Sequence, residues 1–331
     1  MRAPAVDIVV VNWNAGSALG DCIESLALNE RTFPCLGRLI IVDNGSRDGS
    51  IEALGPPSLP LTTVCNGENR GFAAACNQGA ALGEAPFILF LNPDTRLPAD
   101  AIKRALGAFA EEGAQRLGVV GIALSDQEGR IVPTCARAPT PALLASKSLG
   151  MPRLAPHYFP DLIVTEWPHD VSRDVDHVMG AFYLIRRSLF EELSGFDERF
   201  FVYYEDLDLS LRVRAAGWRI RFLAEPRAFH AGGGTSAKAL GFRTFLSIRS
   251  RIALAYKHFS WPQATGHAVL ALFVEPFARL AGAAMAGKGS EAKATLQAYG
   301  LLWGDIGRRL GQRIRSRLAR AFSPPITMRL F

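Results

Sequence analysis

In this chain, carboxylates stand where apolar runs end. Asp43 follows Leu39–Val42 and opens Asp43-Asn44-Gly45-Ser46-Arg47-Asp48-Gly49-Ser50, and Asp94 follows Phe87–Leu91 within Asn92-Pro93-Asp94-Thr95. At a strand tip Asp43 could accept a hydrogen bond from a base or ribose, and Asp94 could give oxygen to a divalent cation on a diphosphate. Each segment alone also reads as a turn, the first an Asn-Gly turn with capping Asp and Ser, the second a strand stop with Pro at its second position. The first apolar run is followed by Asn12-Trp13-Asn14. The glycines of a dinucleotide loop are missing there, so a nicotinamide dehydrogenase loses its main support. In Asn69-Arg70-Gly71-Phe72, the glycine permits close backbone approach and the helix start behind it offers free N–H groups to phosphate.

A denser cluster lies downstream. Gly195-Phe196-Asp197-Glu198 leads through Tyr203 and Tyr204 into Glu205-Asp206-Leu207-Asp208. Three carboxylates in four positions cannot all be buried comfortably, and one should have an altered pKa. The plain alternative is an acidic helix start, since carboxylates favour the first turn. Leu207, Leu209, Leu211 and Val213 alternate as in a strand, but the opening acids, the late Arg212 and Arg214 and the closing Gly217 predict a helix over 205–216. His230 stands just before three glycines; its place admits a metal role without deciding it.

The elements needed to hold these groups are those of an α/β sheet. Asp7–Val11, Leu39–Val42 and Phe87–Leu91 are continuous apolar runs, as in parallel strands buried on both faces, with helices expected near Ser17–Leu28 and Ala73–Leu82. Residues 133–168 hold seven prolines and little periodicity, which predicts a long functional loop. Regular structure resumes over His177–Arg186, a strand follows at Arg219–Leu223, and the pattern beyond His230 is helical. The 331 residues carry a net charge of +6, unevenly placed. Residues 243–331 hold 14 Lys and Arg against three acids, a surplus of eleven, while the rest is acidic. A basic tail on an acidic body predicts an anionic surface as partner. Five cysteines without CxxC spacing read as reduced thiols of a cytosolic protein. The run ending at Asn12 is too short for a signal peptide. The stretch 264–287 is broken by His267, Glu275, Pro276 and Arg279, which favours an interfacial or packed helix over a spanning one.

Taken in order, VVVNWNAG, IVDNGSRDGS, NRGFAAACNQG, FLNPDT, GFDERFFVYYEDLDLSLRVRAAGW and FHAGGG resemble the inverting family 2 glycosyltransferases of the GT-A fold, above all the rhamnosyltransferase-like members. The likeness covers about residues 6–235 and is carried by the ordered set of motifs. It implies a Rossmann-like mixed sheet flanked by helices, with a C-terminal helical extension. A catalytic domain over 1–235 would comprise a nucleotide-binding half (1–125), an acceptor-side Pro-rich segment (133–176) and a catalytic half (177–235), with 236–331 as a basic, membrane-associating region. By the same resemblance Asp43 contacts the nucleobase, and Asn12, Asn14, Asn69, Gly71, Asn77, Asn92 and Gly180 line the donor site. Asp94 matches the last carboxylate of the family's metal motif, whose first position is here Asn92, and His230 completes the Mg2+ or Mn2+ site. Asp206 matches the catalytic base, with Glu205 beside it. The implied donor is a nucleotide sugar, dTDP-rhamnose first and UDP-hexoses or galactofuranose next. The implied acceptor is a saccharide or polyprenyl-linked lipid, met in the cytoplasm at the inner membrane face.

Two rival functions fit the sequence less well. A catalytically silent binding module of the same fold would be expected to lose some of Asp94, Glu205, Asp206 and His230. A nucleotidyltransferase would carry Lys or Arg after the first strand, and Val9–Gly20 has none. In the tail, Leu310, Ile314, Leu318 and Phe322 recur every four residues among Arg308, Arg309, Arg313, Arg315, Arg317 and Arg320. That pattern predicts an amphipathic basic helix on anionic lipid, the alternative being a charged face packed on the catalytic domain. Nucleic acid is disfavoured because no recognition motif accompanies the arginines. The sequence is compatible with an oligomer.

Overall fold

The structure is a computed structural model that describes residues 5–55, 59–232 and 240–321, with side chains to residue 308. In chain order, β1 (Val6–Asn12), α1 (Ala18–Thr32), β2 (Leu36–Asp43) and β3 (Leu61–Cys65) are followed by α2 (Phe72–Ala80), β4 (Phe87–Leu91) and β5 (Thr95–Arg96). Next come α3 (Ala101–Gly107), β6 (Leu117–Ser125), β7 (Ile131–Val132), β8 (Cys135–Ala136), α4 (Pro141–Ser148) and α5 (Met151–Leu154). The second half holds β9 (Arg173–Val175), β10 (His177–Val178), β11 (Phe182–Arg186), α6 (Arg187–Glu192), α7 (Glu205–Ala215) and β12 (Arg219–His230). The C-terminal lobe comprises α8 (Leu240–His258), α9 (Trp261–Val269), a π-helical turn (Leu270–Val274), α10 (Glu275–Met285) and α11 (Gly289–Ala321).

The main sheet runs β3-β2-β1-β4-β11-β6-β12-β5, with β7 against β6 and β9 against β12; β8 and β10 form a separate pair. The continuous apolar runs are explained by its two covered faces. Ile8, Val10, Leu39, Ile41, Leu89 and Leu91 join one core, and Val9, Val11, Ile40, Val42, Ile88 and Phe90 join the other, so alternate residues of each strand are buried on opposite sides. Strands β1, β2, β3 and β4 are parallel, and β11 enters antiparallel between β4 and β6. That reversal is what assembles the site. The C-terminal tips of β1, β2 and β4 and the N-terminal end of β11 all meet at one edge, where Asn12 pairs in register with Asp43 and Phe182 with Leu91. Strand β12 continues past a register shift between Leu223 and Arg227, and its last residue, His230, pairs with Thr95 of β5.

One expectation needs correction. The Pro-rich segment is not a long loop, because α4 and α5 form inside it. Pro141 and Pro152 stand in their first turns, where no intrahelical N–H is required, and the Thr140 hydroxyl caps α4 by accepting from the Leu143 N–H. All five cysteines are free, with Cys65 exposed and the others buried, and burial raises the Cys35 and Cys135 thiols to about 12. Helix 205–216 forms as Glu205–Ala215, and the strand expected at Arg219–Leu223 runs on to His230. The basic helix expected from Arg308 lies within α11, but side chains from 309 and residue Phe322 fall outside the described residues, as do Gly233 and Gly234 of the glycine loop.

Candidate active site

At the tips of β1 and β2 a polar net is drawn tight. The buried Asn12 amide donates to Asp43 (2.7 Å) and also lies 3.0 Å from Ser46 Oγ and 2.8 Å from Ser50 Oγ, and Asp43 accepts again from the Ser46 N–H at 3.0 Å. Asn14, held at a φ of 52°, donates its N–H to Ser46 Oγ and accepts from the Arg47 N–H, so the two loops are stitched together. Asn44 next to Asp43 donates to the Gly71 carbonyl. The close approach at Gly71 (φ 90°) is to protein: its missing Cβ would sit 2.5 Å from the Phe201 carbonyl oxygen, which accepts from the Phe72 N–H. Asn69 accepts from the Gly71 N–H. Asn77 donates to the Phe196 carbonyl and accepts from the Phe196 N–H, tying α2 to the loop before α7. Asn12, Asn14, Asn69 and Asn77 all spend these bonds inside the protein; Asn12, Asn14 and Asp43 gather at the strand tips, and Gly71, at the start of α2, is tied to them through Asn44.

The turn Asn92–Thr95 closes on itself, with the Thr95 N–H donating to the Asn92 carbonyl, and the Asn92 N–H bonds Ala181 at the start of β11. Because β5 and β12 pair, His230 Nε2 comes within 3.2 Å of Asp94 Oδ1 and 3.3 Å of Asn92 Nδ2. Asp94 and His230 side chains are each 14% exposed, open enough to reach a ligand. No group of three or more His, Cys, Asp or Glu suited to a metal exists among the described residues. Asp94 offers the oxygen that a Mg2+ or Mn2+ ion takes when it fills the rest of its shell with phosphate oxygens and water, and His230 lies beside it with a nitrogen less suited to so hard a cation.

Beside Ala181, the Gly180 N–H donates to Asp206 Oδ2 at 2.8 Å, and the Leu207 N–H donates to Asp206 Oδ1 at 2.8 Å. A Cβ on Gly180 would stand only 3.1 Å from Oδ2, so glycine lets the strand approach the carboxylate. Asp206 opens α7, whose preceding residues Tyr203 and Tyr204 both adopt left-handed backbone (φ 67° and 70°). Two such residues cost on the order of 1–2 kcal/mol each, and here they turn the chain so that the helix start faces β11.

As expected, the three acids are not all buried: Glu205 and Asp208 are, while the Asp206 side chain stays 17% exposed. Asp208, with no exposed side-chain surface, takes Lys257, His258 and Arg212, which hold its carboxyl below the usual range against the cost of burial. Glu205 is buried with Oε2 unpartnered, and burial followed by the Asp206 charge pushes its carboxyl well above the usual range. Behind Asp206 lies a chain the sequence did not reveal. Tyr183 Oη and His177 Nδ1 both meet Ser210 Oγ, at 3.1 and 2.9 Å, and His177 Nε2 faces Asp206 Oδ2 at 3.8 Å. Burial lowers the His177 pKa, keeping the ring neutral. Ser210, one turn after Asp206 on α7, was a readable hint; His177 offered none. Concavity alone points elsewhere, to a cleft of about 900 Å³ lined by Arg104, Arg173, Asp174 and Arg221, whose Arg221 is already paired with Asp174 and Glu111.

Residues 7–194 match the family model described as glycosyl transferase family 2. The chain belongs to that family. N-acetylglucosaminyl-diphospho-decaprenol L-rhamnosyltransferase of Mycobacterium tuberculosis is 27% identical to it over 267 residues, covering 77% of this chain and 85% of that one. The O-antigen chain rhamnosyltransferase RfbN of Salmonella typhimurium is 23% identical over 233 residues, 68% of this chain and 66% of that one. Among solved structures, a mannosyltransferase from Pyrobaculum calidifontis in complex with GDP-Man and Mn2+ superposes with a TM-score of 0.53 at 20% identity, over 95% of this chain and 82% of that one. This glycosyltransferase therefore has the GT-A fold that its motifs implied.

Proposed function

We propose that the enzyme transfers L-rhamnose from dTDP-rhamnose to a hydroxyl of a saccharide or polyprenyl-linked acceptor, with inversion, in cell-surface polysaccharide synthesis. The observation that carries this reading is the Asp206 carboxylate, fixed at a helix start by the Gly180 and Leu207 N–H groups at the sheet edge that also bears Asp43 and Asp94. Support for the donor and acceptor comes from the rhamnosyltransferase relatives.

A sugar hydroxyl is a weak nucleophile, so Asp206 takes its proton as the acceptor oxygen bonds to the anomeric carbon. On the opposite face the bond from that carbon to the diphosphate oxygen breaks, and the nucleoside diphosphate departs with the electron pair. One displacement inverts the centre and needs no enzyme nucleophile. Asp43, steadied by Asn12 and Ser46, orients the nucleobase. Asp94 and His230 would hold the divalent ion, which supplies charge neutralisation at the leaving diphosphate. Burial and the Asp206 charge push the Glu205 carboxyl upward, which leaves Asp206 the better proton acceptor of the two. The domain division at 235 and a station on the inner membrane face, through residues 236–331, belong to the same proposal.

Thermal shift against dTDP, UDP and GDP, each with Mn2+, followed by product analysis with dTDP-rhamnose, tests the donor. Stabilisation by dTDP and an inverted rhamnoside are expected. Stabilisation by UDP alone would move the donor to a UDP-hexose, and no turnover of any nucleotide sugar would leave the silent binding module.

A further inference from the structure

Among the exposed apolar side chains of the C-terminal lobe, five lie on the hairpin of α10 and α11. Phe273 and Phe277 lie one turn apart on the segment entering α10, Met285 ends that helix, and Leu296 and Trp303 stand two turns apart on α11. The Phe273 and Trp303 rings meet at 5.0 Å, which joins the outward faces of the two helices into a single stripe. Phe277, Met285 and Leu296 are 71%, 74% and 64% exposed. The inward seam is already filled by Ala271, Ala298, Tyr299 and Leu302, so the stripe is not unfinished core.

By length and composition the 25-residue stretch Trp261–Met285 could cross a membrane, its most apolar 18-residue window having a mean hydropathy of 1.6. Its middle says otherwise. Glu275 is buried and bound by Ser148, Arg251 and Arg279, so a spanning position would strip a carboxylate of its partners and leave it in lipid. The helix is fastened to the protein along one side and apolar along the other. Exposed cations border the stripe at Lys288 and Lys293, and Arg153 reaches Gly282 of α10. In sequence, residues 243–331 as a whole carry the surplus of eleven positive charges. A second copy of this chain would bring like charge to like charge; an anionic bilayer would not.

We infer that the outward face of the α10–α11 hairpin, formed by Phe273, Phe277, Met285, Leu296 and Trp303, seats in the interfacial layer of an anionic lipid membrane. The inference rests on the peripheral-membrane reading above and replaces a purely electrostatic contact with apolar insertion. Helix α4 of the acceptor-side segment packs on α9 and on the π-helical turn, so the lipid contact is fastened to the part of the enzyme that would meet a lipid-linked acceptor.

The test uses the full chain and vesicles of phosphatidylcholine with or without phosphatidylglycerol, in flotation at low and at about 0.5 M salt, where charge contacts are screened. Wild type should float with anionic vesicles and keep part of its binding at high salt. The variant Phe277→Ser/Met285→Ser/Leu296→Ser, altered only at strongly exposed positions, should bind at least about tenfold more weakly and lose binding at high salt. Its melting temperature and its stabilisation by dTDP should match wild type, which separates lost docking from lost fold. Equal flotation of both forms, or wild-type binding abolished by salt, overturns the apolar face while leaving an electrostatic membrane contact standing. No flotation of wild type with either vesicle overturns both. A wild-type dimer by light scattering that the variant converts to monomer, without any change in flotation, assigns the face to a second copy and overturns the inference.

Discussion

At Asp94 the neighbour is one histidine 3.2 Å away, and both side chains reach solvent. At Asp208, two residues beyond Asp206, Lys257, His258 and Arg212 close over a carboxylate with no exposed surface, and backbone N–H groups hold both oxygens of Asp206 itself. The first centre is under-supplied by the protein and suited to completion by what binds. The second is complete before anything binds, and its rigidity serves aim. The difference is the one expected if, as proposed, Asp94 meets a variable charge and Asp206 takes a proton at a fixed point.

The comparison is most sharply broken at Asp206. Replacement by Asn should lower kcat by roughly 10³-fold, within the range for a lost general base, while thermal stabilisation by dTDP with Mn2+ stays near wild type; a variant keeping most of its turnover would remove Asp206 from the role. Asp208→Asn leaves buried cations uncompensated and should cost about 3–5 kcal/mol in urea unfolding. If it costs less than Asp94→Asn, the contrast is inverted. Asp94→Asn should leave the ligand-free melting temperature unchanged, abolish the extra stabilisation that Mn2+ gives with dTDP, and reduce turnover about a hundredfold, as losing roughly 2.7 kcal/mol of charge neutralisation would. The smallest effect is expected from His177→Gln, about tenfold in kcat with little change in KM, the cost of loosening Asp206 by about 1.4 kcal/mol. That variant has a second readout. The folded His177 pKa lies below its unfolded value near 6.5, so below that pH the unfolded chain binds a proton that the folded one refuses, and stability falls as pH drops. The acid limb of melting temperature against pH should be shallower in the variant.

The parts of the site legible in sequence are those governed by local rules. Asp43 and Asp94 follow apolar runs, and Glu205–Asp206 open a helix against a misleading alternation of leucines. What stayed hidden depends on distance along the chain. Lys257 and His258 reach Asp208 from about fifty residues away, and His177 meets Ser210 only because β10 packs beside α7. Prolines misled in 133–168 because their count argues for loop, while their position in a first turn argues for helix. Gly71 was legible as a close approach, but the group approached, the Phe201 carbonyl, was not.

The left-handed pair Tyr203 and Tyr204 has a consequence for how portable this catalytic unit is. Tyr203 packs in the cluster of Phe245, Leu246 and Tyr299, and Tyr204 in that of Leu144, Phe200, Leu207 and Leu254. The bend that aims Asp206 is therefore clamped by residues of α8 and α11 on one side and of α4 and α8 on the other. Recombination that exchanged the nucleotide-binding half between relatives could succeed by matching strand tips alone. Exchange of the helix that bears Asp206 would keep its aim only if α4, α8 and α11 travelled with it.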